Sequence, residues 1–303
     1  MAGKGERRRL LNKLQPHQIS KAQRSIPMSV RPVLKIVKGM PASDGDGVRL
    51  TRMLGTPEAQ MFDPFLMLDC FDNDQASDYM GGFPDHPHRG FETVTYMLEG
   101  RMRHKDNTGR EGIIGPGGIQ WMRAGKGIVH SEMPEQAEGR MRGFQLWVNL
   151  PARLKMSEPG YSEFESDAIP VEARDDGVTV KVISGVTDAG TAGPIGGGAV
   201  DALYFDVVLP AGTVFEEPVG DDRNTMLAVY EGQVRVAHDT VDALSGVFLG
   251  RGDTVRVEAV TDARVLLLAG RPIDEPVFWH GPFVMNSREE IVQAFEDFQR
   301  GRF

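Results

Sequence analysis

Four side chains on two short stretches have the types and spacing of a metal site: His86 and His88 in His-Pro-His, and His130 and Glu132 in His-Ser-Glu. Along a β-strand, residues i and i+2 point to one face, so each pair presents two ligands on the same side of a strand. Both pairs are separated by the same 44 residues, and strands lying side by side would gather the four groups into one polar cluster. Three imidazoles and one carboxylate suit iron, zinc, nickel or copper better than calcium or magnesium, which prefer all-oxygen shells. An isolated histidine is most often a packed core residue; two paired stretches in one domain favour a metal.

The elements that must position these groups read as short strands. Residues 33–37, 62–69, 91–96, 101–104, 119–122 and 143–150 are strand-like and are separated by Gly-, Asn- and Asp-rich turns, the punctuation of a β-barrel or sandwich. Pro87 cannot donate a ladder hydrogen bond, which predicts an edge or bulged strand for the first ligand pair. After a polar, Pro-broken stretch to about residue 169, a second all-β pattern runs from Val178 to Ala269; within it residues 190–198, Gly-Thr-Ala-Gly-Pro-Ile-Gly-Gly-Gly, form a loop. That loop lacks the Lys-Ser/Thr of a phosphate-binding loop and a helix after it. Near the end, Ser287 and Glu290 fit a capping box, with Ile291, Ala294, Phe295 and Phe298 on one helical face and Gly301 as terminator.

Composition narrows the function classes. The chain has 303 residues, 40% hydrophobic and 25% charged, a length that suggests about two domains. Its net charge of −9 is unevenly spread: residues 1–30 carry seven Lys/Arg against one acid, about +6, which leaves the remainder near −15. An acidic body argues against a nucleic-acid groove. The basic start reads as a solvated tail dispensable for fold and metal binding. It lacks the apolar core of a signal peptide, and no stretch approaches a membrane span. The single cysteine, Cys70, excludes an internal disulfide and a thiolate cluster and suits a reducing compartment, cytoplasmic or, in a eukaryote, also nuclear.

The halves resemble each other. Glu99-Gly100-Arg101-Met102-Arg103 matches Glu231-Gly232-Gln233-Val234-Arg235, and Gly115-Pro116-Gly117-Gly118-Ile119 matches Gly250-Arg251-Gly252-Asp253-Thr254. A duplicated barrel explains both. By these offsets His86 and His88 fall near Pro218 and Gly220, and His130 and Glu132 near Val265 and Leu267. None of these is an imidazole or carboxylate, so the expectation is one metal per chain, in the first barrel. His238 and His280 stand alone and read as structural or surface residues.

The block from His86 to Tyr96, residues 118–122, 125–132 and 143–151, and the ending from Gly281 to Glu290 with Gly301-Arg302-Phe303, resemble the pirin family over residues 32–303. That resemblance implies an all-β bicupin, two tandem cupin barrels with a C-terminal helix. It divides the chain into a basic tail (1–31), a metal-binding barrel (32–155), a barrel without metal (156–285) and the helix (286–303). It also implies the ligand set His86, His88, His130 and Glu132 around Fe2+, with Zn, Ni, Cu, Mn and Co as other divalent occupants. Two functions follow from it: quercetin 2,3-dioxygenase activity on a flavonol or similar enol with dioxygen, Glu132 serving as base, or an iron-dependent, redox-sensing regulator that binds a protein partner. Departures from the pattern are the long basic start and the charges Arg123 and Lys126, expected near the mouth. Strand counting from His88 turns Glu92 inward, behind the ligands. Gln145, Trp147 and Phe91 are the other candidates around the site.

Overall fold

In the computed structural model, residues 29–303 are described; the basic tail, residues 1–28, lies outside them. Each half of the chain builds a seven-stranded sheet facing a four-stranded sheet, all pairings antiparallel. In the first half the large sheet runs, in order, Gly160–Phe164, Ile119–Arg123, Phe91–Glu99, Met141–Asn149, Phe65–Asn73, Val48–Leu54 and Met40–Asp44. The small sheet runs Phe83–His88, Ile128–Pro134, Met102–Asp106 and Glu111–Ile114. The second half repeats this layout strand for strand, so the expected bicupin is the observed architecture.

The large sheets of the two barrels pack back to back. The strand Phe91–Glu99 therefore has one face toward its own barrel interior and the other toward the partner barrel, and its first seven residues are all buried, polar and apolar alike. Val94, Tyr96 and Phe144 of the first barrel share one apolar core with Tyr204, Met226 and Tyr230 of the second. A buried polar knot sits within that seam: the carboxylate of Asp206 accepts from Tyr96 Oη (2.8 Å), from Tyr230 Oη and from Arg264 Nη2 (2.9 Å). A carboxylate so far from water is tolerable only with such a full set of donors.

Chain ends cross between the barrels. The strand Val33–Lys38 pairs with Ser245–Leu249 in the second barrel's large sheet, the place that Gly160–Phe164 occupies in the first. The first barrel thus continues to Phe164, past 155. Arg31 belongs to the second barrel as well: its guanidinium is buried and donates to the carbonyls of Val219, Gly220 and Gly250. In return, the hairpin Phe278–His280/Phe283–Met285 and the helix Arg288–Gln299 leave the second barrel and lie on the first. Ser287 caps this helix as expected, accepting from Glu290 N, while the Glu290 carboxylate reaches back to Asn286 N. No helix among the described residues is long and apolar enough to cross a membrane.

The second barrel shows why it carries no cluster of ligands. Its interior is filled by aliphatic and aromatic side chains such as Val182, Phe205, Leu227, Val257 and Leu267. By sheet position the counterpart of Phe83–His88 is Val214–Pro218, and that of Ile128–Pro134 is Thr254–Ala259. His130 and Glu132 therefore correspond to buried valines around 255 and 257, not to Val265 and Leu267, which lie one strand further on. The shift arises because Gly250-Arg251-Gly252 is the counterpart of Gly125-Lys126-Gly127, not of the turn at 115–118. Glu217, the buried carboxylate on the first of these strands, is held by Arg174 and the Asp188 N–H.

Candidate metal centre

The first ligand pair sits on the edge strand of the small sheet, where Pro87 costs no ladder bond. Its neighbour is antiparallel, with His86 opposite His130 and His88 opposite Ile128. An equal spacing of 44 would suit parallel strands; here the register and a bulge between His130 and Glu132, which sets Glu132 opposite Phe83, decide what meets what. The three imidazoles converge. Ligand nitrogens of His86, His88 and His130 lie within 4.8 Å of one another, and their ring centroids are 4.4–5.0 Å apart.

These rings carry the marks of a site built for a cation. Both nitrogens of His130 and Nδ1 of His88 are buried without a hydrogen-bond partner among the described residues, although a buried polar atom ordinarily finds one. Burial holds His88 and His130 well below the usual histidine range, with neighbouring imidazoles adding to it. They are therefore neutral and free to ligate at neutral pH. His86 Nδ1 donates to the Pro84 carbonyl at 2.8 Å, which leaves its Nε2 free to meet a cation. The residues fit a divalent transition metal.

Glu132 is placed beside the triad but outside it. Its Oε1 accepts from Thr95 Oγ1 (2.8 Å) and its Oε2 from Gln145 Nε2 (2.7 Å). Gln145 in turn accepts from the indole N–H of Trp147 at 3.3 Å. Thr95 went unnoticed in the sequence, yet alternation along its strand carries the signal: Phe91, Thr93 and Thr95 share the inward face.

Glu92 does not lie behind the ligands. Counting parity from His88 fails because Arg89-Gly90 bends the chain between two sheets, Gly90 at φ +88°. Glu92 faces the opposite side, where its carboxylate accepts from Trp121 Nε1 (2.9 Å) and Arg123 Nε (2.8 Å). Arg123 is thus spent on Glu92 beside the loop at 194–198, and Lys126 pairs with Glu158 at the surface. Neither charge lines the mouth. The cation there is Arg52, forked onto Asp69 by two 2.8 Å bonds and reaching Asp44.

His86 and His88 of the triad line a cavity of about 500 Å3. Trp147 lines its wall, 5.2 Å from the His88 ring and backed by Phe91 at 4.3 Å. A second polar group deeper in the same barrel was not anticipated: His104 stacks on Tyr161, and its Nε2 meets Glu163 at 2.7 Å. The isolated His238 and His280 are exposed, as expected.

Sequence comparison agrees with this architecture. The Pirin family model matches residues 47–148, and that of the Pirin C-terminal cupin domain matches residues 204–303. The chain belongs to the pirin family. A pirin-like protein of Caulobacter vibrioides is 91% identical over 276 residues, covering 91% of this chain and 100% of the relative. Human pirin is 43% identical over 272 residues, covering 86% and 89%. Among solved structures, quercetin 2,3-dioxygenase from Acinetobacter baumannii superposes with a TM-score of 0.85 at 31% identity, covering 91% of this pirin and 99% of that chain.

Proposed function

We propose that this pirin is an iron(II)-dependent dioxygenase acting on flavonols and related planar aryl enols, the reaction named for its Acinetobacter structural relative. The observation that carries the reading is the imidazole triad, with buried, unpartnered nitrogens on His88 and His130, beside a cavity that His86, His88, Trp147 and Trp279 line. His86, His88 and His130 would hold the metal, with Glu132 as fourth ligand. Bound there, the ion supplies a Lewis-acidic centre that eases loss of the enol proton, and the redox capacity for dioxygen chemistry.

The chain's own groups do the rest. Neutral imidazoles ligate without first losing a proton, so the site stays competent at neutral pH. Thr95 and Gln145 donate to the Glu132 carboxylate and hold it beside the triad. From there Glu132 takes the enol proton, a step that needs only hydrogen-bond reach. Trp147, backed by Phe91, displaces water from the cavity wall, which strengthens the polar contacts beside it.

The test pairs metal analysis with flavonol turnover, aerobic and anaerobic, in the wild type and in Glu132→Gln. The variant keeps size and a coordinating oxygen but loses basicity. Retained metal with turnover lowered about 100-fold is expected for a lost general base. Wild-type protein that binds iron tightly yet shows no oxygen-dependent turnover would overturn the enzyme reading in favour of a regulator.

A further inference from the structure

The aromatic wall of the metal cavity does not end within the first barrel. From His88 it passes to Trp147, and from Trp147, across 5.8 Å with the rings tilted by 43°, to Trp279 of the C-terminal hairpin. Trp279 lines the same cavity as His86 and His88, together with Gly281 and Pro282 of its own turn. Its indole N–H donates to the Gly281 carbonyl at 2.9 Å, which sets the orientation of the ring. The hairpin is seated firmly on the ligand strand: Val284 N donates to Arg89 O, Arg89 N to Pro282 O, and Lys155 Nζ to Val284 O. A residue from the far end of the chain thus forms the outer wall of a site whose ligands all come from the first barrel.

We propose that Trp279 is a specificity-determining residue that selects extended, multi-ring planar substrates over single-ring ones. The reasoning rests on the dioxygenase reading above. A substrate anchored at the histidines by its enol oxygen meets Trp147 with the rings nearest the metal. Only a further ring, carried outward along the wall, reaches Trp279. The two indoles are too close and too tilted to sandwich a ring between them; they form a corner, one face and one edge, against which a planar arm lies. Interaction with Trp279 therefore discriminates by the length of the arm, not by the chemistry at the metal.

The experiment is titration calorimetry on the full-length, iron-loaded protein without oxygen, using quercetin as the multi-ring probe and catechol as the single-ring probe. Metal content is measured in parallel. Trp279→Ala should weaken quercetin binding about 3- to 10-fold, the scale of one aromatic contact, and catechol binding less than twofold, with metal content unaltered. Trp279→Phe should restore most of the loss. Unchanged quercetin affinity in Trp279→Ala, or an equal loss for both probes, would overturn the role of Trp279 alone. Wild-type protein that binds iron but not quercetin would overturn the flavonol reading and this inference with it.

Discussion

Lys155 offers a sharp test of how the C-terminal hairpin is fastened to the ligand strand. Its ammonium is buried and spends all three N–H groups on the carbonyl oxygens of Gly90 (2.8 Å), Asn149 (2.7 Å) and Val284 (2.9 Å). No carboxylate touches it, and burial lowers its pKa from 10.5 to about 8, opposed only at a distance by Glu275 and Glu290. That difference corresponds to about 3 kcal/mol by which folding disfavours the charged form. The folded pKa lies below the unfolded one, so between pH 8 and 10.5 the unfolded chain holds the extra proton, and stability rises with pH through that window. Integrated from pH 7 to 9, the gain is about 1.3 kcal/mol. Lys155→Met cannot titrate, and it leaves three carbonyls without a partner. Chemical denaturation of metal-free wild type and variant at pH 7, 8 and 9 isolates the term: the wild-type advantage should grow by about 1.3 kcal/mol. A difference that stays flat or shrinks with rising pH would refute a buried, three-way-bonded ammonium at this position.

Other consequences are as specific. His130→Ala should remove most bound metal, from one ion per chain to a small fraction by elemental analysis, since the remaining two imidazoles on the edge strand cannot close the site; full retention, or two tightly bound ions in wild type, contradicts the assignment. Tyr230→Phe removes one of the donors to buried Asp206 and should cost about 1.5–3 kcal/mol in denaturation experiments, with metal content unaffected. Gly90→Ala places a Cβ 2.0 Å from the Val284 carbonyl at a backbone of φ +88°; the hairpin must shift, so proteolysis in the segment around 278–285 should accelerate and stability should fall by about 2 kcal/mol or more.

What the sequence by itself determined was local or repeated. Imidazoles two apart on one strand share a face whatever the fold, so the pairing of His86 with His88 was legible, and Pro87 announced an edge. The duplicated strand and turn pattern announced two barrels, and Ser287 with Glu290 announced the helix start. Tertiary structure decided whatever depends on how strands are paired and bent. The antiparallel register and its bulge set Glu132 against Thr95 and Gln145 beside the triad. The bend at Arg89-Gly90 reset the parity and sent Glu92 to Trp121 and Arg123. Unequal turn lengths moved the counterparts of His130 and Glu132 onto the valines of a different strand. Trp279 carries no local signature at all. Its place at the mouth exists because apolar burial and the carbonyl bonds of Lys155 draw the last hairpin back onto the first barrel, and contacts so distant along the chain are chosen by packing, not by neighbours in sequence.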